Sequence, residues 1–407
     1  MTLVFIPFFV DAWSSLFSIG YVFQVWQREK WHPLAFFGYL AAFHLSSFLG
    51  SSVIWRLRRL PRVGSTGWQI VCYTVFPFGA VLAAMANHSS SWAIYMLLAG
   101  LFRPETPATL NLFAQLDVSD PIFRQLVQWR EFGSLLGVLA ASCSLTFMFE
   151  YGQDALAIFS ICQSCCCVFP LLTLLQCQTP RVLQESEKKW VHVSQLDSLP
   201  REDRPVDRVI DSTMWWSAVT SAVNYGLLGY LLTVLMLQTS QSRIAVPVVV
   251  LAVSLLNWAG SLAGVREANI QERSPLGEAF VGFVVLSLSA IIASLGLSML
   301  YQGPSYYMAI PHAFVSAIFC VLHASPLVLL HQTVHRAKEE QTVYADRYLG
   351  CVYLGRLLGI SVAWLQYVYL DASPYLLSAI AIWVARNQLI KALNEWKATR
   401  FINNKDQ

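Results

Sequence analysis

Charged residues are scarce in this chain. Asp, Glu, Lys and Arg make up 13% of its 407 residues, apolar types make up 56% and the mean hydropathy is +0.51, a balance that excludes an ordinary water-soluble globule. The formal net charge is only +3 and no basic stripe lies outside the loops, so nucleic acid is not an expected partner. No Gly-rich sequence ends in Gly-Lys-Ser or Gly-Lys-Thr, which argues against a self-contained ATP-driven pump. Histidines form no metal box: His331 and His335 come nearest, at helical i, i+4 spacing, but no third ligand stands beside them. Neither a metal, a cofactor nor an enzymatic activity is therefore expected. The nine cysteines follow neither a disulfide framework nor zinc spacing, and Cys162, Cys165, Cys166 and Cys167 fall together in one apolar segment, where packing accounts for them.

What the chain has instead is apolar sequence in blocks. Stretches of bilayer length fall near 3–25, 34–55, 68–86, 92–116, 131–149, 155–177, 213–237, 244–264, 277–299, 308–330, 348–370 and 373–393, which predicts an all-α polytopic membrane protein of twelve transmembrane helices. The first stretch has no basic n-region and carries Asp11, so it reads as a retained helix rather than a cleaved signal. The long polar stretch 178–212 divides the spans six and six. This gives an N-terminal half over 1–177, a linker over 178–212, a C-terminal half over 213–393 and a tail over 394–407. Basic residues concentrate on one side, at Arg56, Arg58, Arg59, Arg62, Arg124, Arg130, Arg266, Arg273 and the tail, which predicts both termini in the cytoplasm. Asn87-His88-Ser89 then falls outside and fits a glycosylation sequon.

The two halves resemble each other. Gly50 to Arg56, closing the second span, aligns with Gly260 to Arg266, closing the eighth. Gly133-Ser134-Leu135-Leu136-Gly137 in the fifth aligns with Gly355-Arg356-Leu357-Leu358-Gly359 in the eleventh, and Pro107 in the fourth with Pro326 in the tenth. The matches recur in order at similar separations, which argues for a duplicated six-helix unit. Two six-helix repeats joined by a cytoplasmic loop resemble the major facilitator superfamily of transporters. That family carries a Gly, an acid with a basic neighbour, a second Gly and a basic pair between its second and third helices. Here Gly50 and Arg58-Arg59 fit, while Ile54 stands at the acidic position and Leu57 at the second Gly; the second copy keeps Gly260 and has Gly264 for the acid. The likeness is to a divergent member of no identified subfamily. It makes Arg56, Arg58, Arg59 and Arg266 the candidate cytoplasmic latch.

The resemblance implies that the first, fourth, seventh and tenth spans line a central cavity. Polar residues fall there: Asp11 in the first, Arg103, Glu105 and Asn111 in the fourth, Asn224 and Tyr225 in the seventh, His323 in the tenth. His44 and Arg356 lie in flanking spans. A charge at the bilayer centre costs roughly 2.5–3.5 kcal/mol, so such groups must face water, protein or solute. Arg103-Pro104-Glu105-Thr106-Pro107 also interrupts the fourth span with two prolines that remove backbone donors, predicting an opened helix. In a regular helix Arg103 and Glu105, two apart, would point to opposite sides and not pair.

The expected function is a transporter that moves a small polar solute, anionic or zwitterionic, by alternating access. Arg103, Asn111, Asn224, Tyr225 and His323 are the candidate solute contacts. Asp11 and Glu105 are the candidates for coupling to a proton, with sodium as the other coupling ion. Arg356 is expected to neutralise a buried carboxylate. The competing expectation is a non-transporting membrane sensor or partner subunit that keeps the fold, favoured by the missing acids at Ile54 and Gly264.

Overall fold

In the computed structural model, residues 2–29, 33–58, 65–114, 120–150, 155–177, 205–238, 342–365 and 374–403 are described, with scattered positions between 255 and 299. These segments are helical almost throughout. They comprise α1 (Thr2–Glu29), α2 (Pro33–Arg58), α3 (Ser65–Ala86), α4 (Ser89–Leu101), α5 (Glu105–Ala114), α6 (Asp120–Glu150), α7 (Ala155–Cys177), α8 (Pro205–Gln238), α9 (Thr342–Leu365) and α10 (Pro374–Asn403). Five stretches within them are long and apolar enough to cross a membrane: Val4–Val25, Trp68–Ala86, Ile122–Met148, Ala155–Thr173 and Arg347–Leu365. Their outer faces, and that of α10, carry large apolar side chains such as Phe78, Phe147, Ile161 and Trp383, each more than half exposed, as a lipid-facing surface requires. The chain is an integral, multi-pass membrane protein.

Helix pairing follows the small residues. In α6, a Cβ on Gly133 would stand 2.5 Å from the Phe5 carbonyl oxygen and one on Gly137 would stand 2.4 Å from that of Phe9, so α6 lies backbone to backbone on α1. In α9, Gly355 and Gly359 meet the carbonyl oxygens of Ala218 and Ala222 in α8 at 2.1 and 2.2 Å by the same measure. Each glycine pair, four residues apart, sits on two carbonyls four residues apart, in α1 and α8 respectively. With no hydrophobic drive between helices in lipid, such close approach supplies the dispersion contacts that hold them together. The aligned Gly-Ser-Leu-Leu-Gly and Gly-Arg-Leu-Leu-Gly sequences therefore perform one packing task twice.

Elsewhere α2 lies along α4, α3 against α7 and α4, and α10 against α8, while α9 also packs on α2 and α5. An aromatic core of Phe17, Tyr21, Phe36, Phe43, Phe76, Trp92, Tyr95 and Phe159 fills the N-terminal bundle. Through it runs a buried polar thread: Ser14 Oγ donates to Gln163 Oε1 at 2.6 Å, Gln163 Nε2 donates to Ser18 Oγ at 3.0 Å, and Ser18 shares a 3.2 Å hydrogen bond with the Tyr95 hydroxyl. It pins α7 to α1 and α4.

The helices run past some of the spans expected from hydropathy. Helix α8 begins at Pro205, within the stretch read as linker, and α6 begins at Asp120. Arg124 and Arg130, read above with the basic residues of the cytoplasmic side, are buried in α6, at 3% and 9% exposure.

Candidate functional site

The fourth hydrophobic span is two helices. Helix α4 ends where the Phe102 N–H donates to the Leu98 carbonyl at 2.9 Å, and Phe102 leaves the helical region at φ −104°, ψ 30°. A single turn follows, closed by the Thr106 N–H donating to the Arg103 carbonyl at 3.2 Å, and α5 starts at Glu105. Pro104 and Pro107 fall in the turn and the first turn of α5, where a helix has no use for their missing donors. The break is held against α2, since a Cβ on Gly100 would lie 1.9 Å from Ser46 Oγ and 2.2 Å from the Phe43 carbonyl.

This break presents Arg103 and Glu105 to their neighbours. Arg103 Nε donates to both Asp11 oxygens at 2.9 and 3.0 Å, and its Nη2 lies 2.7 Å from Asp11 Oδ2 and 3.0 Å from Glu105 Oε2. Arg356 of α9 donates through Nη1 and Nη2 to Glu105 Oε2 and Oε1 at 2.6 and 2.9 Å. The expectation that Arg103 and Glu105 do not pair is corrected: Arg103 is outside any helix, so the angular rule for residues two apart does not apply to it. The result is a chain of alternating charge, Asp11, Arg103, Glu105 and Arg356, with formal net charge zero and every member at most 6% exposed. Buried charges persist only when paired and hydrogen-bonded in this way.

Aromatic rings close over the guanidinium faces. The Arg103 Cζ lies 5.0 Å from the Phe43 ring and 5.6 Å from that of Tyr353, and the Arg356 Cζ lies 4.9 Å from Tyr225 and 5.2 Å from Tyr353. The Tyr353 and Thr106 hydroxyls share a 2.8 Å hydrogen bond, a second tie between α9 and α5. His44 of α2 packs edge to face on Tyr225 with centroids 5.1 Å apart. Arg130 has its Nε 3.6 Å from Glu131 and its Cζ 5.1 Å from the Phe8 ring of α1.

Of the expected site residues, Asp11, Arg103, Glu105 and Tyr225 come together, with Arg356 as the partner of Glu105. Asn224 is half-buried in α8 beside Tyr225. The side chains of Asn111, Arg56 and Arg58 lie outside the described part of α5 and α2, and His323, Arg59 and Arg266 lie outside the described residues altogether. Tyr353, Thr106 and Phe43 were not anticipated. Tyr353 is one turn before Arg356 and thus on the same helix face, the one signal in the sequence that marks it.

No protein-family model matches the sequence, and no curated protein matches it either. Solved structures do. The human organic anion transporter MFSD10 (TETRAN) superposes with a TM-score of 0.63 at 13% identity, over 95% of this chain and 98% of its own. This chain has the major facilitator fold. The proton:xylose symporter XylE, a structure of the major facilitator superfamily bound to 6-bromo-6-deoxy-D-glucose, superposes with a TM-score of 0.67 at 12% identity over 97% of this chain and 94% of its own. The nucleoside transporter NupG gives 0.57 at 12% identity over 97% and 98%. The charge chain joins α1, the α4–α5 turn and α9, with Asp11, Arg103 and Glu105 from the first part of the sequence and Arg356 from its last part.

Proposed function

We propose that the chain is a secondary transporter of a small organic anion or zwitterion, coupled to a proton and working by alternating access with both termini in the cytoplasm. The observation that carries this is the neutral chain Asp11, Arg103, Glu105, Arg356, buried between the halves. Three structures with which the chain shares its fold are described as organic anion, proton:xylose and nucleoside transporters, which supports transport as the activity.

The chemistry follows from charge balance. A solute carboxylate that takes the Arg103 fork must displace a carboxylate already there, and planar bidentate recognition is what the guanidinium offers. The displaced group cannot stay ionised and unpaired at low dielectric, so a proton enters with the anion and the site stays neutral. Asp11 is held by one guanidinium and Glu105 by two, so Asp11 is the carboxylate released at lower cost. Glu105 keeps Arg103 in place and ties it to Arg356 in the other half. Loss of that tie lets the halves rock apart.

The test is thermal unfolding of the purified protein against a panel of small organic anions, amino acids and sugars at two pH values, beside Arg103→Ala. A solute at 100 times its dissociation constant adds about 2.7 kcal/mol to the folded state. An anion that stabilises the wild type, more at the lower pH, and has no effect on Arg103→Ala is the expected result. A sugar that stabilises both equally would overturn the anion assignment.

A further inference from the structure

His44 has no part in the charge chain, yet it sits beside it. Its ring is 3% exposed on α2, wedged between Phe43 and Tyr225, whose centroids lie 5.2 and 5.1 Å away. Those two rings also lie over Arg103 and Arg356 respectively. Its Nδ1 is buried without a hydrogen-bond partner. A buried polar atom left unsatisfied is costly, and native structures keep few of them.

Two more nitrogens share that condition nearby. Arg103 spends Nε and Nη2 on carboxylates and leaves Nη1 buried and unpaired; Arg356 spends both Nη atoms on Glu105 and leaves Nε unpaired. Three unsatisfied nitrogens thus come from three separate elements, α2, the α4–α5 turn and α9, and their residues share ring contacts pairwise: His44 and Arg103 through Phe43, His44 and Arg356 through Tyr225, Arg103 and Arg356 through Tyr353. The two arginine nitrogens are donors only, so what they lack is an acceptor. The imidazole nitrogen can donate or accept according to its tautomer. The faces of the guanidiniums are already covered by rings, so a ligand meets them edge-on.

We propose that this is the solute subsite, and that its ligand is a small organic acid with a second hydrogen-bonding group beside the carboxylate, the class of 2-hydroxy and 2-amino acids. With Asp11 displaced from Arg103, the carboxylate takes that fork and reaches the unpaired nitrogens of Arg103 and Arg356, and His44 Nδ1 bonds the substituent. His44 is then the residue that separates substituted acids from plain ones. This rests on the anion reading above and adds the substituent and the residue that recognises it.

The probe pair is propionate and lactate, which differ by one hydroxyl, each titrated against the purified wild type by its effect on the unfolding temperature. A hydrogen bond to a buried group contributes about tenfold in affinity, so wild type should bind lactate about tenfold more tightly than propionate. In His44→Phe, which keeps the ring and loses the nitrogens, the ratio should fall to within about twofold of one. His44→Asn sets an amide near the Nδ1 position and should retain most of the ratio; His44→Gln, whose amide reaches toward Nε2, should lose it. The Asn and Gln pair decides the matter even where the Phe variant does not fold. If wild type binds both acids and the lactate preference survives in His44→Phe or His44→Gln, the role of His44 is overturned and the anion reading stands. If wild type binds neither acid nor any other anion, the anion reading fails and this inference with it.

Discussion

Arg356 of α9 closes both terminal nitrogens on the two oxygens of Glu105, at 2.6 and 2.9 Å, and by doing so ties α9 to the broken fourth span. The pair is buried on both sides, at 7% and 6% side-chain exposure, so its charges have little recourse to solvent when separated. A transporter that opens at this interface must therefore supply each charge with another partner as it moves.

Removing one member should cost more than removing both. Glu105→Gln leaves Arg356 buried and unpaired, and Arg356→Gln does the same to Glu105 in part. Each single change is expected to lower stability by about 3–5 kcal/mol, and the double neutral variant by much less than their sum. Unfolding midpoints of the four proteins in one detergent give the coupling directly. Additive losses would mean that the two side chains act independently.

The glycine pairs give a second expectation. Gly355→Ala places a methyl group 2.1 Å from the Ala218 carbonyl oxygen, backbone that cannot give way, and should destabilise by about 1–3 kcal/mol. Gly38→Ala in α2, where nothing lies within 4 Å of a built Cβ, should be neutral or gain up to about 1 kcal/mol from helix propensity. Thermal unfolding of the two variants side by side checks both. Equal effects would deny the close packing of α9 on α8.

Gln163→Leu should loosen the N-terminal bundle without touching the charge chain. It removes the partner of Ser14 Oγ and Ser18 Oγ at full burial, an expected loss of about 1–3 kcal/mol. Solute affinity, measured by the same unfolding shift, should stay within about twofold. A large loss of affinity would place Gln163 in the site.

Much of this arrangement is legible in the sequence. The interruption at Arg103-Pro104-Glu105-Thr106-Pro107 marks the site because an apolar span tolerates two charges and two prolines only where they face protein or a cavity. The spaced glycines mark the helix contacts because they repeat. What the sequence hides are consequences of the third dimension. The pairing of Arg103 with Glu105 depends on the turn that takes Arg103 out of the helix. The burial of Arg130 depends on how α6 lies on α1, and the position of Tyr353 on how α9 meets α5. His44 is one polar residue in an apolar span, and only its unpaired nitrogen beside two arginines sets it apart.

Coupling makes its own prediction. With Asp11→Asn the site gives up the carboxylate that the solute displaces, so uptake should persist but lose its acceleration by an inward proton gradient. Uptake into proteoliposomes at equal and at stepped pH separates the two. An Asp11→Asn variant that still responds fully to the gradient would move the proton site to Glu105 or elsewhere.

The central claim is that anion and proton move together through a site that stays neutral. Purified protein in vesicles loaded with a pH-sensitive dye, given an external anion identified by the unfolding assay, tests it most directly. The expected result is acidification of the interior beyond that in protein-free vesicles, insensitive to an imposed membrane potential for a monoanion and absent in Arg103→Ala. Solute uptake with no proton movement, or proton movement that responds to the potential, would contradict the account.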